Sequence, residues 1–218
     1  MVMQLNADHI ARSLENELGV TLNVAVSSEA AAIDRLTAGE RAQLNKLGGE
    51  ARRHSWLKGR SALKSVLASL GHDEETAGIC FPSPAVSLTH SGDFAIALGT
   101  TSGELIGLGV DFEVYRPVRK QAARFFLAPA EQDWVASLDQ SRITRELLRL
   151  WTIKEALFKS DPRNSERWFS DYRLETPAST TGRAFVPTDE SDDYRYSCLE
   201  IEQGFLSVAV LPRRHHDA

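Results

Sequence analysis

Cysteine is scarce in this chain of 218 residues: Cys80 and Cys198 stand far apart, with no CxxC spacing. Such spacing gives no basis for a disulfide scaffold or a thiolate zinc site, and two reduced thiols are expected. Long hydrophobic runs are also missing. No stretch approaches the ~20 apolar residues that span a bilayer, so no membrane contact is expected. Positive charge is not in excess either, since 25 Lys+Arg against 30 Asp+Glu leave a formal charge of −5. That balance removes the global basic field on which nucleic-acid binding draws, and no nucleic-acid partner is expected. The first twenty residues carry interspersed acids and lack the apolar core of a signal peptide, which makes the expected location cytoplasmic. The closing RRHHDA reads as a frayed tail.

What remains is an ordinary globular composition, 42% apolar and 25% charged. The length suits one large domain or two of about 100 residues each. Residues 20–27 alternate as a strand, and Thr37 followed by Glu40 is a capping box that opens a helix over 37–47. Gly48-Gly49 interrupts it, and an amphipathic helix then runs from Glu50 to Leu70, with Gly71 at its end. Strands are expected at 85–90, 94–100 and 105–113. The second half repeats the plan, with helices at 129–139 and 142–159 and strands at 168–175, 183–187, 194–202 and 205–211. Offset by 95 residues, Trp56 falls on Trp151 and Lys64 on Lys159, and GDFAIAL (92–98) resembles GFLSVAV (204–210). The expected fold class is therefore α+β. Two similar halves, 1–103 and 104–218, would stand in pseudo-twofold arrangement, each with a long helix on a small, mainly antiparallel sheet.

Four constellations could carry chemistry. In a strand, Asp111 and Glu113 share a face, with carboxylates ~7 Å apart that repel when both are ionised. A shared Mg²⁺ would remove the conflict; a solvated strand face is the plain alternative. Glu155 and Lys159 are four residues apart on one helical face, either as an exposed ion pair or as part of a phosphate–metal site. The flanking Leu150, Trp151, Ile153, Leu157 and Phe158 argue that much of this helix is buried. Thr89-His90-Ser91-Gly92 offers an imidazole, two hydroxyls and backbone N–H groups for a phosphate, or is simply a hairpin turn. Arg53, Arg60 and Lys64 lie near one helix face and could meet a phosphate, or face water.

In combination and order, His90-Ser91, then Gly109-Val110-Asp111-Phe112-Glu113, then Trp151-Thr152-Ile153-Lys154-Glu155-Ala156-Leu157-Phe158-Lys159 resembles the 4′-phosphopantetheinyl transferases. The resemblance is to their larger, single-chain, pseudo-dimeric (Sfp-type) class. That signature is roughly (V/I)-G-(V/I)-D-x-E followed by (F/W)-(S/C/T)-x-K-E-(S/A)-x-x-K. It departs from the family at Ile79-Cys80-Phe81-Pro82-Ser83-Pro84, where Gly-(Lys/Arg)-Pro is frequent, and at Thr89, where Ser is common.

The resemblance implies transfer of the phosphopantetheine arm of coenzyme A to a serine of an acyl or peptidyl carrier protein, releasing 3′,5′-ADP. Asp111, Glu113 and Glu155 would hold Mg²⁺. Glu155 would act as general base, directly or through a water, and Lys159 would stabilise the departing phosphate. Coenzyme A would be held by Arg53, Arg60, His90, Ser91, Lys154 and Lys159. Carrier docking would use surface around Phe125-Phe126-Leu127 after Arg124, or Arg116 and Arg119-Lys120. A monomer is expected, because one chain holds both halves of the site. Two rival readings are a non-catalytic coenzyme A or carrier-binding module and a Mg²⁺-dependent pyrophosphate hydrolase.

Overall fold

Ile10, Leu14 and Leu18 recur every four residues, the spacing of one helical face. They form the buried side of a helix, α1 (Ala7–Leu18), which the strand-and-turn pattern above does not anticipate. Asn6 caps it by accepting from the His9 N–H, and Gly19 ends it in the left-handed conformation (φ 69°). The computed structural model describes residues 5–213, so the tail beyond Arg213 lies outside the described residues.

After β1 (Asn23–Ser27), the Thr37–Glu40 capping box forms both of its bonds and starts α2 (Ala38–Asn45). Gly49, at φ 76°, turns the chain into α3 (Glu50–Ser69). Then come β2 (Val86–Ser91), β3 (Phe94–Gly99) and β4 (Leu105–Val114). The second half runs α4 (Pro129–Ala136), α5 (Gln140–Ser160), β5 (Arg173–Leu174), β6 (Thr181–Val186), β7 (Asp189–Ile201) and β8 (Gly204–Pro212). The strand expected at 168–175 is shorter than its sequence suggests. Asp171 accepts from the Trp168 N–H and folds the preceding residues into a 3₁₀ turn, leaving Arg173–Leu174 to pair.

The fold is α+β. One sheet has the order β1-β3-β2 and the other β4-β8-β7-β6-β5, and all their pairings are antiparallel. Helix α3 packs on the smaller sheet and α5 on the larger. β8 is buried on both faces, with Phe205, Ala209 and Leu211 toward α5 and Leu206, Val208 and Val210 toward α1. Each buried Val, Leu or Phe side chain removed from water contributes about 1.5–3 kcal/mol, which fixes the sheet between two helical layers.

Two glycines set how closely α5 meets β4. A Cβ on Gly107 would stand 1.7 Å from the Ser160 carbonyl oxygen, and one on Gly109 would stand 2.0 Å from that of Ala156. The helix therefore lies directly on the strand backbone there. That contact brings the last turns of α5 over the middle of β4, where Asp111 stands.

Candidate functional site

The edges of the two sheets meet where β2 runs beside β4, joined by side-chain hydroxyls. Ser87 accepts from the Val110 N–H (3.0 Å), Thr89 from Phe112 (3.2 Å) and Ser91 from Val114 (3.2 Å). Thr89 donates in turn to Asp111 Oδ1 (3.1 Å) and Ser91 to Glu113 Oε2 (3.2 Å).

Asp111 and Glu113 share a face of β4, as the two-residue period requires, and α5 adds Glu155. Ligand-capable oxygens of the three lie within 4.8 Å of one another. Lys159, one turn beyond Glu155, places its Nζ 2.6 Å from Asp111 Oδ1 and 3.4 Å from Glu155 Oε2. Glu113 receives Arg116 through two bonds, Nη2 to Oε1 (2.7 Å) and Nε to Oε2 (3.1 Å), and Trp151 Nε1 at 3.0 Å. Asp111 is 3% exposed, and its Oδ2 is buried with no hydrogen-bond partner. A buried oxygen without a partner, beside two further carboxylates, fits a hard divalent cation that keeps several waters.

The charges are unevenly held. Burial, followed by the charge of Asp111, pushes Glu155 up to about 7 despite Lys159. Burial also raises Asp111. Burial alone would raise Glu113 too, but Arg116, Trp151 and Ser91 bring it below the usual carboxylate range. Lys159 resists the desolvation of its ammonium through Asp111 and Glu155, and its pKa lies above the ordinary value. Two raised carboxyls mean that the folded state keeps protons that the unfolded state has released. The metal-free protein is therefore expected to lose stability as pH rises from about 4.5 to about 7. Thermal melts across that range should show the loss against Glu155→Gln, which lacks this titration, and Mg²⁺ should reverse it at pH 8.

The other expected site residues divide. His90 and Arg60 line one pocket with Arg52, Trp56 and Leu88. Arg60 stacks on Trp56 (4.5 Å to the ring centroid) and donates to the Thr76 carbonyl (3.2 Å). Burial, then the Lys159 charge, lowers the His90 pKa. Arg53 lines an adjacent hollow with Glu50, His54 and Leu57 rather than the His90 pocket. Ser91, half-buried, has its hydroxyl on Glu113 and the Val114 N–H, so here it supports a carboxylate.

Lys154 is a correction. It is 0% exposed, with Nζ 2.7 Å from Glu131 Oε1 and bonded to the Tyr172 carbonyl, so no phosphate reaches it. Of the Phe125-Phe126-Leu127 surface, Phe126 and Leu127 are buried, and Phe125 alone is exposed, under the Arg124 guanidinium. Sequence reasoning missed Thr89 and Trp151 as partners of the carboxylates. The hydroxyls alternating at 87, 89 and 91, and Trp151 four residues before Glu155, carried that signal. An apolar groove lined by Phe81, Pro82, Leu88, Phe158 and Phe169 leads away from Glu155 and Lys159.

Residues 107–209 match the model of the 4′-phosphopantetheinyl transferase superfamily. A Synechocystis protein provisionally named 4′-phosphopantetheinyl transferase is 37% identical over 81 residues, covering 36% of this chain. The match spans 31% of that relative's length. A holo-(acyl-carrier-protein) synthase from Bacillus anthracis, solved in complex with CoA (3′,5′-ADP), aligns with TM-score 0.40 and 16% identity over 51% of this chain and 100% of its own. Thermotoga maritima holo-[acyl-carrier-protein] synthase aligns with TM-score 0.39 and 22% identity over 52% and 67%.

Proposed function

We propose that this chain, whose residues 107–209 match the model of the 4′-phosphopantetheinyl transferase superfamily, transfers the phosphopantetheine arm of coenzyme A to a carrier-protein serine. The observation that carries this reading is the meeting of Asp111, Glu113 and Glu155, with the Lys159 ammonium on Asp111 and Glu155. Three carboxylates suit a divalent cation, and such a cation together with the Lys159 ammonium suits a pyrophosphate that must be neutralised as it is cleaved. Asp111, Glu113 and Glu155 would hold Mg²⁺, which supplies charge neutralisation on the pyrophosphate oxygens.

The chain's own groups do the rest. Glu155 takes the proton from the carrier serine hydroxyl, directly or through a water, as that oxygen bonds to the phosphorus bearing pantetheine. The bond from that phosphorus to the bridging oxygen breaks, and the electron pair leaves with 3′,5′-ADP. Lys159 neutralises the departing phosphate. Arg60 and His90 hold the nucleotide end in their shared pocket, and the apolar groove beyond Glu155 receives the pantetheine arm.

One chain supplies both sides of this site, which supports a monomer of the larger, single-chain class with halves 1–103 and 104–218. Exposed Phe125, with Arg124 over its ring and Arg119 and Lys120 nearby, offers an acidic carrier a mixed apolar and basic surface. No helix among the described residues is long and apolar enough to cross a membrane.

The test is intact mass of apo acyl and peptidyl carrier proteins after incubation with this protein, coenzyme A and Mg²⁺. The expected result is a gain of one phosphopantetheine with release of 3′,5′-ADP, lost on adding a chelator. Coenzyme A consumed without any carrier would mean a pyrophosphate hydrolase. Coenzyme A bound but intact beside every carrier would mean a binding module.

A further inference from the structure

We propose that Thr89 and Ser91 are positioning residues whose hydroxyls fix the two strand carboxylates in the orientation that receives a divalent cation; this rests on the metal reading above. A hydroxyl has one proton to give and lone pairs to accept with. At both positions the strand decides which way that proton points. Thr89 accepts the Phe112 N–H and donates to Asp111, and Ser91 accepts the Val114 N–H and donates to Glu113. Each relay thus runs from a backbone N–H of β4, through a hydroxyl of β2, to the carboxylate of the preceding β4 residue.

The consequence at Asp111 is specific. Thr89 and Lys159 both bond Oδ1, and the carboxylate is left with Oδ2 buried and without a partner. A side chain free to rotate about its last torsion would not hold one oxygen in reserve in this way. At Glu113, Arg116 reaches the carboxylate from the exposed side, whereas Ser91 holds it from the neighbouring strand. The exposed guanidinium of Arg116 is free to swing toward water, whereas the Ser91 hydroxyl, fixed on β2, would keep its bond if Glu113 held a cation.

Ser87 provides the control within the same row. It accepts the Val110 N–H as its neighbours do, but the preceding residue there is Gly109, which has no carboxylate to orient. Ser87 therefore joins the two strands and does nothing for the cation, whereas Thr89 and Ser91 do both. Outer hydrogen bonds of this kind typically contribute 10–100-fold in metal affinity.

The experiment is titration of the full chain with Mn²⁺ alone, free Mn²⁺ being read by electron paramagnetic resonance. Thr89→Val is expected to raise the Mn²⁺ Kd by about 10-fold or more. Thr89→Ser should restore it, and Ser87→Ala should leave it at the wild-type value. Should Thr89→Val fail to fold, Ser91→Ala at its half-buried position is expected to show the same rise. An unchanged Kd in a folded Thr89→Val or Ser91→Ala protein overturns the positioning role. An equal rise in Ser87→Ala also overturns it, because strand joining would then be the whole effect. Absence of Mn²⁺ binding by the wild type would overturn the metal reading itself, and the two failures are thereby told apart.

Discussion

Replacing Glu155 by Gln is expected to slow transfer by about 10²–10⁴-fold, the usual contribution of a positioned general base, without loss of the fold. The substitution keeps the size of the side chain and its place on α5, but it removes the carboxylate proposed above as base toward the carrier hydroxyl. Stability should move the other way. Burial and the Asp111 charge press Glu155 toward its neutral form, with a pKa of about 7, and Gln is neutral at every pH. Above pH 7 the metal-free variant should therefore melt higher than the wild type. Rate measurements with saturating coenzyme A and excess Mg²⁺, beside thermal melts, check both halves of this expectation. Near-normal turnover in excess Mg²⁺ would remove Glu155 as the base. A variant both slow and unstable would mean that the carboxylate holds the α5–β4 contact instead.

The two strand carboxylates were legible because a strand has a period of two: Asp111 and Glu113 had to share a face wherever the strand lay. Glu155 and Lys159 were legible for the equivalent helical reason. What local pattern could not supply was depth. Trp151, Glu155 and Lys159 follow one another at four-residue spacing and form one face of α5, over β4. Lys154 is adjacent to Glu155 in sequence, but adjacent helical residues point about 100° apart, and this one falls on the stripe with Leu147, Leu150 and Leu157 that faces the core. The same rule applied to the motif would have separated the two. Its partner Glu131 lies on another helix, and no spacing in the chain announces that pairing. α1 escaped notice for a related reason: its buried apolar stripe is only three residues, Ile10, Leu14 and Leu18, and small, polar and charged residues make up the rest. The hydroxyls of β2 show the limit from the other direction. Their alternation is visible in SLTHS, but the backbone donors they meet belong to a strand about twenty residues on.

Lys154→Met tests where that lysine belongs, and its expected effect is on stability. Glu131 accepts from Lys154 Nζ, from the Ala128 N–H (2.8 Å) and from the Leu174 N–H (2.9 Å), and so ties α4, α5 and β5 together in the buried interior. Burial pulls the lysine pKa down and Glu131, its directly bonded carboxylate, opposes it most strongly, with Asp171 adding to it. Removing the lysine leaves a buried carboxylate with no counter-charge, which costs about 3–5 kcal/mol. In a chain of this size the melting temperature should fall by roughly 10 °C. Denaturant titration with and without the substitution measures the loss directly. Adding Glu131→Gln to Lys154→Met should recover part of it, because the amide still accepts a backbone N–H and leaves no unpaired charge. A lysine that bound coenzyme A phosphate would behave differently: the variant would melt like the wild type and show a raised KM for coenzyme A, with no rescue by Glu131→Gln. The Lys-Glu pair of the motif would then be two functional groups, whereas the buried geometry makes it one group in the site and one that holds the helix carrying it.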